Sequence, residues 1–222
     1  MIDAMPKEQK QQKNRLVFMS AIGLIIILVG AFFLFQNNNQ YGTLLIKTSE
    51  SDLSIFVDNQ EIIPLQKTNP VFKLKKGEHS VIISKIGHWP WAKNIEIIRK
   101  EEVGLKPFFV PQNTSGFLIG ESDIEYASIL TLFQENLILP EVFGQLTANA
   151  NLKSKITALD FYKDRADVVI FSAENGVFVL EMEEDNIQNL QPLYSGNNPV
   201  FVKKDNDAIY ILDGNNLLLV NY

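Results

Sequence analysis

Two tryptophans flank a proline in His88-Trp89-Pro90-Trp91, and of all the segments in this sequence this one is best equipped to hold a ligand. Flat indole faces stack on sugar rings and also settle at membrane interfaces. The competing reading gives them to packing: Trp89 fills a β core and Trp91 covers its rim. Packing is the stronger of the two, with glycan or cell-wall contact at Trp89 and Trp91 kept as the alternative. The residue types that catalysis needs are sparse elsewhere. Cysteine is absent, which removes disulfides, thiolate nucleophiles and cysteine metal sites. His79 and His88 are the two histidines, and no set of three or four ligands at zinc spacing surrounds them. A Gly-x-Ser-x-Gly elbow, a Walker loop and a Gly-x-Gly-x-x-Gly fingerprint are all missing. The acidic runs Glu183-Glu184-Asp185 and Asp205-Asn206-Asp207 lack the alternating oxygen ligands and turn glycine of a calcium loop, so they read as solvated loops. The sequence therefore points to no catalysis, no catalytic residue, no cofactor and no metal.

Charge is spread unevenly along the 222 residues, which sum to −6. Residues 1–15 carry Lys7, Lys10, Lys13 and Arg15 against Asp3 and Glu8. Residues 42–111 carry 10 basic and 8 acidic residues, whereas residues 116–222 carry 6 basic and 16 acidic ones, a net −10. A segment this acidic repels phosphate backbones, which sets nucleic acid aside as a partner.

Leu16 to Phe35 is an uncharged, apolar run. As a helix it would rise roughly 30 Å, the thickness of a bilayer core. A cleaved signal peptide is the rival, but the run is long for one and ends without a small-x-small site. The expectation is a single-pass transmembrane helix over 16–35 with the lipid bilayer as partner. The basic residues before it place the tail 1–15 in the cytoplasm, and the bulk of the chain beyond the cell membrane. Residues 36–41 form a linker.

Beyond the linker the pattern is that of strands. Leu53, Ile55 and Val57 alternate with Ser54, Phe56 and Asp58, the period of a half-buried strand. Asp58-Asn59 is turn-prone. Pro70 opens a strand with Phe72 and Leu74 on one face, Lys75-Lys76-Gly77-Glu78 reads as a hairpin turn, and Val81 with Ile83, then Ile95 with Ile97, share faces. Residues 42–111 predict a β-sandwich. They resemble the PEGA domain in Gly42-Thr43-Leu44-Leu45-Ile46-Lys47-Thr48-Ser49, the Asp58-Asn59 turn, Thr68-Asn69-Pro70, Leu74-Lys75-Lys76-Gly77-Glu78-His79-Ser80-Val81 and Ile86-Gly87-His88-Trp89. The eponymous Pro-Glu-Gly-Ala is replaced by Ser49-Glu50-Ser51-Asp52-Leu53. The resemblance implies a small accessory β-sandwich of bacterial and archaeal surface proteins, without a catalytic role.

Residues 116–222 repeat with a shift of 40. Ala127–Val142, Asp167–Met182 and Asp207–Tyr222 align without gaps. Turn residues Glu135-Asn136, Asn175-Gly176 and Asn215-Asn216 interrupt them, so each reads as a hairpin. An all-β period of this length is that of a propeller blade. The segments resemble WD40-like or TolB-type propellers, with Gly176-Val177-Phe178-Val179-Leu180 as one third strand. Three repeats are too few to close a ring, and the apolar last strand Leu217-Leu218-Leu219-Val220 predicts packing within the chain together with some self-association. The fold class expected is all-β after one N-terminal transmembrane helix: a PEGA-like sandwich over 42–111, then three blade-like repeats over 116–222. The function expected is that of a membrane-anchored structural or interaction protein of the cell envelope, with an unknown envelope protein or cell-wall glycan as partner. The alternative is an envelope sensor that binds a glycan or peptide.

Overall fold

Period-2 alternation of apolar and polar side chains places the first strands. In β1 (Tyr41–Ile46) Leu44 and Ile46 point inward, as do Ile55 and Val57 of β2 (Leu53–Val57). Asp58 and Asn59 both have positive φ, 52° and 63°, and turn β2 tightly into β3 (Gln60–Ile62). This is the two-residue hairpin that Asx residues favour. Then come β4 (Val71–Lys75), β5 (Gly77–Lys85), β6 (Trp91–Ile97) and β7 (Glu102–Leu105). These seven strands form two sheets, ordered β4-β1-β7 and β3-β2-β5-β6. Strand β1 runs antiparallel to β4 and parallel to β7. This is a computed structural model describing residues 19–20, 22–30, 40–64, 68–135, 156–182 and 187–222.

Two further sheets follow. One is the antiparallel meander β9 (Ala158–Phe161), β10 (Val168–Ala173), β11 (Gly176–Met182) and β12 (Ile187–Ser195). The other takes β13 (Val200–Lys203), β14 (Ala208–Asp213) and β15 (Asn216–Asn221) in order and adds β8 (Ser115–Ile119) beside β15. Buried residues from all four sheets belong to one apolar cluster, with Leu44, Ile83, Trp91, Ile170, Val179, Ile209 and Val220 among its members. The chain is mostly β, as the sequence implies, and its four sheets are open.

Three expectations are corrected. No helix among the described residues is long and apolar enough to cross a membrane. Residues 22–30 are helical. The rest of 16–35 apart from residues 19 and 20, the tail 1–15 and linker residues 36–39 lie outside the described residues. Membrane and single-pass character thus find no support.

The first repeat is not a hairpin. Tyr126–Glu135 is an α-helix, α1. Its apolar residues fall at helical spacing, with Ile129 and Phe133 buried one turn apart and Tyr126 and Leu132 packed beside them against Val202, Tyr210 and Leu217. Residues 136–142 of that repeat lie outside the described residues. The other two repeats are the hairpins β10–β11 and β14–β15, each preceded by a strand.

Lys75–Glu78 is also not a hairpin. Strand β4 pairs with β1, and β5 pairs with β2 and β6, so the chain changes sheets at this corner. Gly77, with φ of 137°, makes the bend.

Candidate functional site

The parity of β6 decides where the tryptophans go. Trp91, Ile95 and Ile97 share its inward face and are buried, while Ala92, Asn94 and Glu96 point out. Trp91 is 0% exposed and presents no ring face to solvent, whereas Trp89 is only half-buried against the core. The packing reading holds with the roles exchanged: Trp91 is the core residue and Trp89 stands at its margin.

The Trp91 indole nitrogen needs an acceptor in this dry setting. Its Nε1–H donates to Oε2 of Glu181 on β11, 2.9 Å away. The same oxygen accepts from Nδ2 of Asn189 at 2.8 Å, and Lys93 Nζ lies 3.5 Å from Oε1. Buried carboxylates persist when paired and hydrogen-bonded, and Glu181 is both. The seam continues in either direction. Ala92 N donates to Asn189 Oδ1 at 2.7 Å, Gln191 bridges Pro90 O and Val110 N, Tyr162 OH donates to Phe109 O at 3.2 Å, and Arg165 Nη1 reaches Pro107 O at 3.4 Å. The first seven strands and the later sheets thus share a polar latch as well as a core.

Two concavities open along this seam. One, of about 300 Å³, lies between Trp89 with Gln112–Thr114 on one side and Pro192–Ser195 on the other. Trp89 Nε1 is buried there without a protein acceptor. Tyr194, on the edge strand β12, donates its hydroxyl to Asp213 at 2.9 Å. Burial, then that hydrogen bond, pushes its pKa up to about 12, so it stays protonated.

The second concavity, about 270 Å³, lies where the ends of β1 and β7 meet the turn between β9 and β10. Lys47, Lys85, Lys106, Lys163 and Arg165 reach it, with Glu50 as the one acidic side chain in its lining. Sequence reading did not find this cleft, because its members come together only through the pairing of β1 with β7 and the docking of the later sheets. His88 lines it too; its Nδ1 bonds Ile86 O at 2.8 Å. His79 stands apart, its two ring nitrogens held by Asp58 Oδ2 and Lys75 O, each at 2.7 Å. Among the described residues no three His, Asp or Glu side chains gather as a metal site would require; Glu183-Glu184-Asp185 lies outside those residues. Neither the protein-family models nor the curated proteins include a match to this chain.

Proposed function

We propose that this chain is a non-catalytic structural or interaction protein in which a PEGA-like sandwich (42–111) and blade-like sheets over 116–222 act as one rigid scaffold. The blade reading rests on the β9–β12 meander and on β13–β15, whose fourth strand is β8 from the start of the segment. The observation that carries the scaffold reading is the Trp91–Glu181 hydrogen bond inside a core common to both parts. Flexible tethers between independent domains do not bury charge at the junction; this junction buries Glu181 with its partners.

The experiment is a crosslinked capture with three baits: the whole chain, residues 40–111 and residues 112–222. A partner held by the whole chain and lost with either half, each half shown by circular dichroism to be folded, supports a composite scaffold surface. Steady turnover of a substrate by the purified chain would overturn the non-catalytic reading.

A second reading, ligand binding to a glycan or peptide, has one observation in its favour. The Trp89 groove combines a half-buried indole with Asn113, Thr114 and Tyr194 as polar partners, the mixture of one aromatic face and a few polar groups that small-ligand sites use. Because Trp91 is fully buried, a ligand in this groove would alter Trp89 fluorescence, and Trp89→Phe would abolish that change.

A further inference from the structure

We infer that the cleft between β1, β7 and the β9–β10 turn is a binding site for a phosphate group, either free phosphate or the phosphate of a small monoester. This goes beyond the scaffold reading and does not depend on it.

Strands β1 and β7 run parallel with Ile46 opposite Leu105, and the residues that follow on each, Lys47 and Lys106, both line the cleft, the Lys47 side chain leaning back over Gly104 of β7. Ile46 and Leu105 are buried, and the two lysines are exposed. Lys47 N donates to Leu105 O at 2.7 Å, which holds the two backbones together at that point. Like charges on neighbouring strands repel. Among the described residues neither lysine has a carboxylate within 4 Å to relieve this, although Lys106 acts at longer range on Asp167.

The other cations of the cleft are occupied. Lys85 binds Glu50 at 2.8 Å, and Lys163 lies 3.9 Å from Asp207 and over the ring of Tyr162. Arg165 donates Nε and Nη2 to the two oxygens of Asp167 at 2.6 and 2.7 Å, and its Nη1 is turned to Pro107 O. The guanidinium fork that would match a flat carboxylate is therefore spent inside the protein. What remains for a ligand is a pair of ammonium groups, which act as point charges and suit a compact anion with several oxygens. This cation surplus persists in a chain of net charge −6. The walls behind the lysines are Pro107, Phe109 and Tyr162, apolar surface suited to the carbon part of a monoester.

The test is calorimetric titration of the full chain at low ionic strength with inorganic phosphate, glycerol 3-phosphate and acetate. Saturable binding of phosphate is expected, weak or absent binding of acetate, and weakening with added salt. Tighter binding of glycerol 3-phosphate than of phosphate identifies a monoester site, while equal binding identifies the free ion. Lys47→Gln with Lys106→Gln should weaken binding about tenfold or more, whereas Lys73→Gln on β4 should leave it unchanged. The double variant should also melt no lower than the parent without phosphate, because it removes a repulsion, and should lose the rise in melting temperature that phosphate gives the parent. No saturable binding overturns the inference. So does binding that the double variant retains, that Lys73→Gln weakens equally, or that acetate matches.

Discussion

Trp91 and Glu181 stand 90 positions apart in the sequence and are joined by a buried 2.9 Å hydrogen bond. Strand β6 of the first part and strand β11 of the second meet through it, and Asn189 on β12 shares the same carboxylate oxygen.

Glu181→Ala should therefore be among the most damaging single changes in the chain. It leaves the buried Trp91 N–H without its acceptor and takes a carboxylate from beside Lys93. Removing one member of a buried pair costs about 3–5 kcal/mol, a large part of a typical net stability of about 5–15 kcal/mol. Glu181→Gln keeps one carbonyl oxygen to accept from the Trp91 N–H and should cost less. Urea denaturation midpoints of the three proteins check the order.

The two tryptophans should respond differently to phenylalanine. Trp91→Phe loses a satisfied N–H, takes one of two donors from Oε2 of Glu181 and opens a small void, so it destabilises. Trp89→Phe removes an N–H that is buried without a protein acceptor. Leaving such a group unmade costs about 1–3 kcal/mol, so this variant should be neutral or stabilised. Thermal melts of both variants decide it. A Trp89→Phe loss as large as that of Trp91→Phe would reverse the assignment of core and margin.

A shared core predicts shared melting. The apolar cluster runs from Leu44 to Val220 without a break at residues 112–115, so residues 40–222 should unfold in one transition, by calorimetry and by fluorescence alike. Residues 40–111 alone expose Trp91, Phe108, Phe109 and Val110, and should be markedly less stable than the same strands in the whole chain. Two separated transitions in the whole chain would show that the seam contributes little.

His79 clips the hairpin of β2 and β3 to β5. Burial of the ring opposes its charge, but the Lys75 carbonyl and Asp58 outweigh this, and the pKa lies above its ordinary 6.5. Only the imidazolium donates from both nitrogens. Its contribution is thus full below pH 6.5 and lost as pH rises through the raised value. The hydrogen bonds from His79 and Ser80 hold Asp58 below its ordinary 3.8, so its contribution is present above 3.8 and lost as pH falls through the lowered value. The clip should be tightest between about pH 4 and 6.5. Melting temperatures of parent and His79→Gln should differ most in that window and converge above it. Because Asp58 is exposed, the difference should shrink in salt.

Local signals were legible in the sequence, and non-local ones were not. The alternation in Leu53-Ser54-Ile55-Phe56-Val57 and the Asp58-Asn59 turn depend on adjacent residues, and the structure has both. At Lys75–Glu78 the turn chemistry was legible through Gly77, but not the partners of the strands it joins, since β4 finds β1 thirty residues back. The spacing of Tyr126, Ile129 and Phe133 was helical throughout. Matching apolar columns at a shift of 40 ignores that period and reads α1 as a strand pair. Strand β12 was missed because Gln188, Asn189, Gln191 and Pro192 break its alternation, and its pairing with β11 shifts register twice. Lys47 and Lys106 gave no signal, because only parallel pairing makes them neighbours.

Strand Leu217-Leu218-Leu219-Val220 reads as an exposed apolar edge in the sequence, yet β8 covers it, with Leu118 opposite Leu218 and Phe117 opposite Leu219. The chain fills its own open edge, and the burden passes to β8, where Phe117 and Leu118 are 62% and 66% exposed. Uncovered apolar edge strands invite pairing with another chain. Self-association through this end of the sheet must then run through β8, not β15. Leu218 packs against the core, so Leu218→Lys should lower the melting temperature, the cost of burying a charge without a partner. The pair Phe117→Lys and Leu118→Lys should leave melting nearly unchanged and lower the apparent mass of residues 40–222 at high concentration in light scattering. Deleting residues 115–119 should have the opposite effect, exposing Leu217–Val220 and raising the apparent mass steeply with concentration. A deletion variant that stays monomeric would show that β15 is protected by something other than β8.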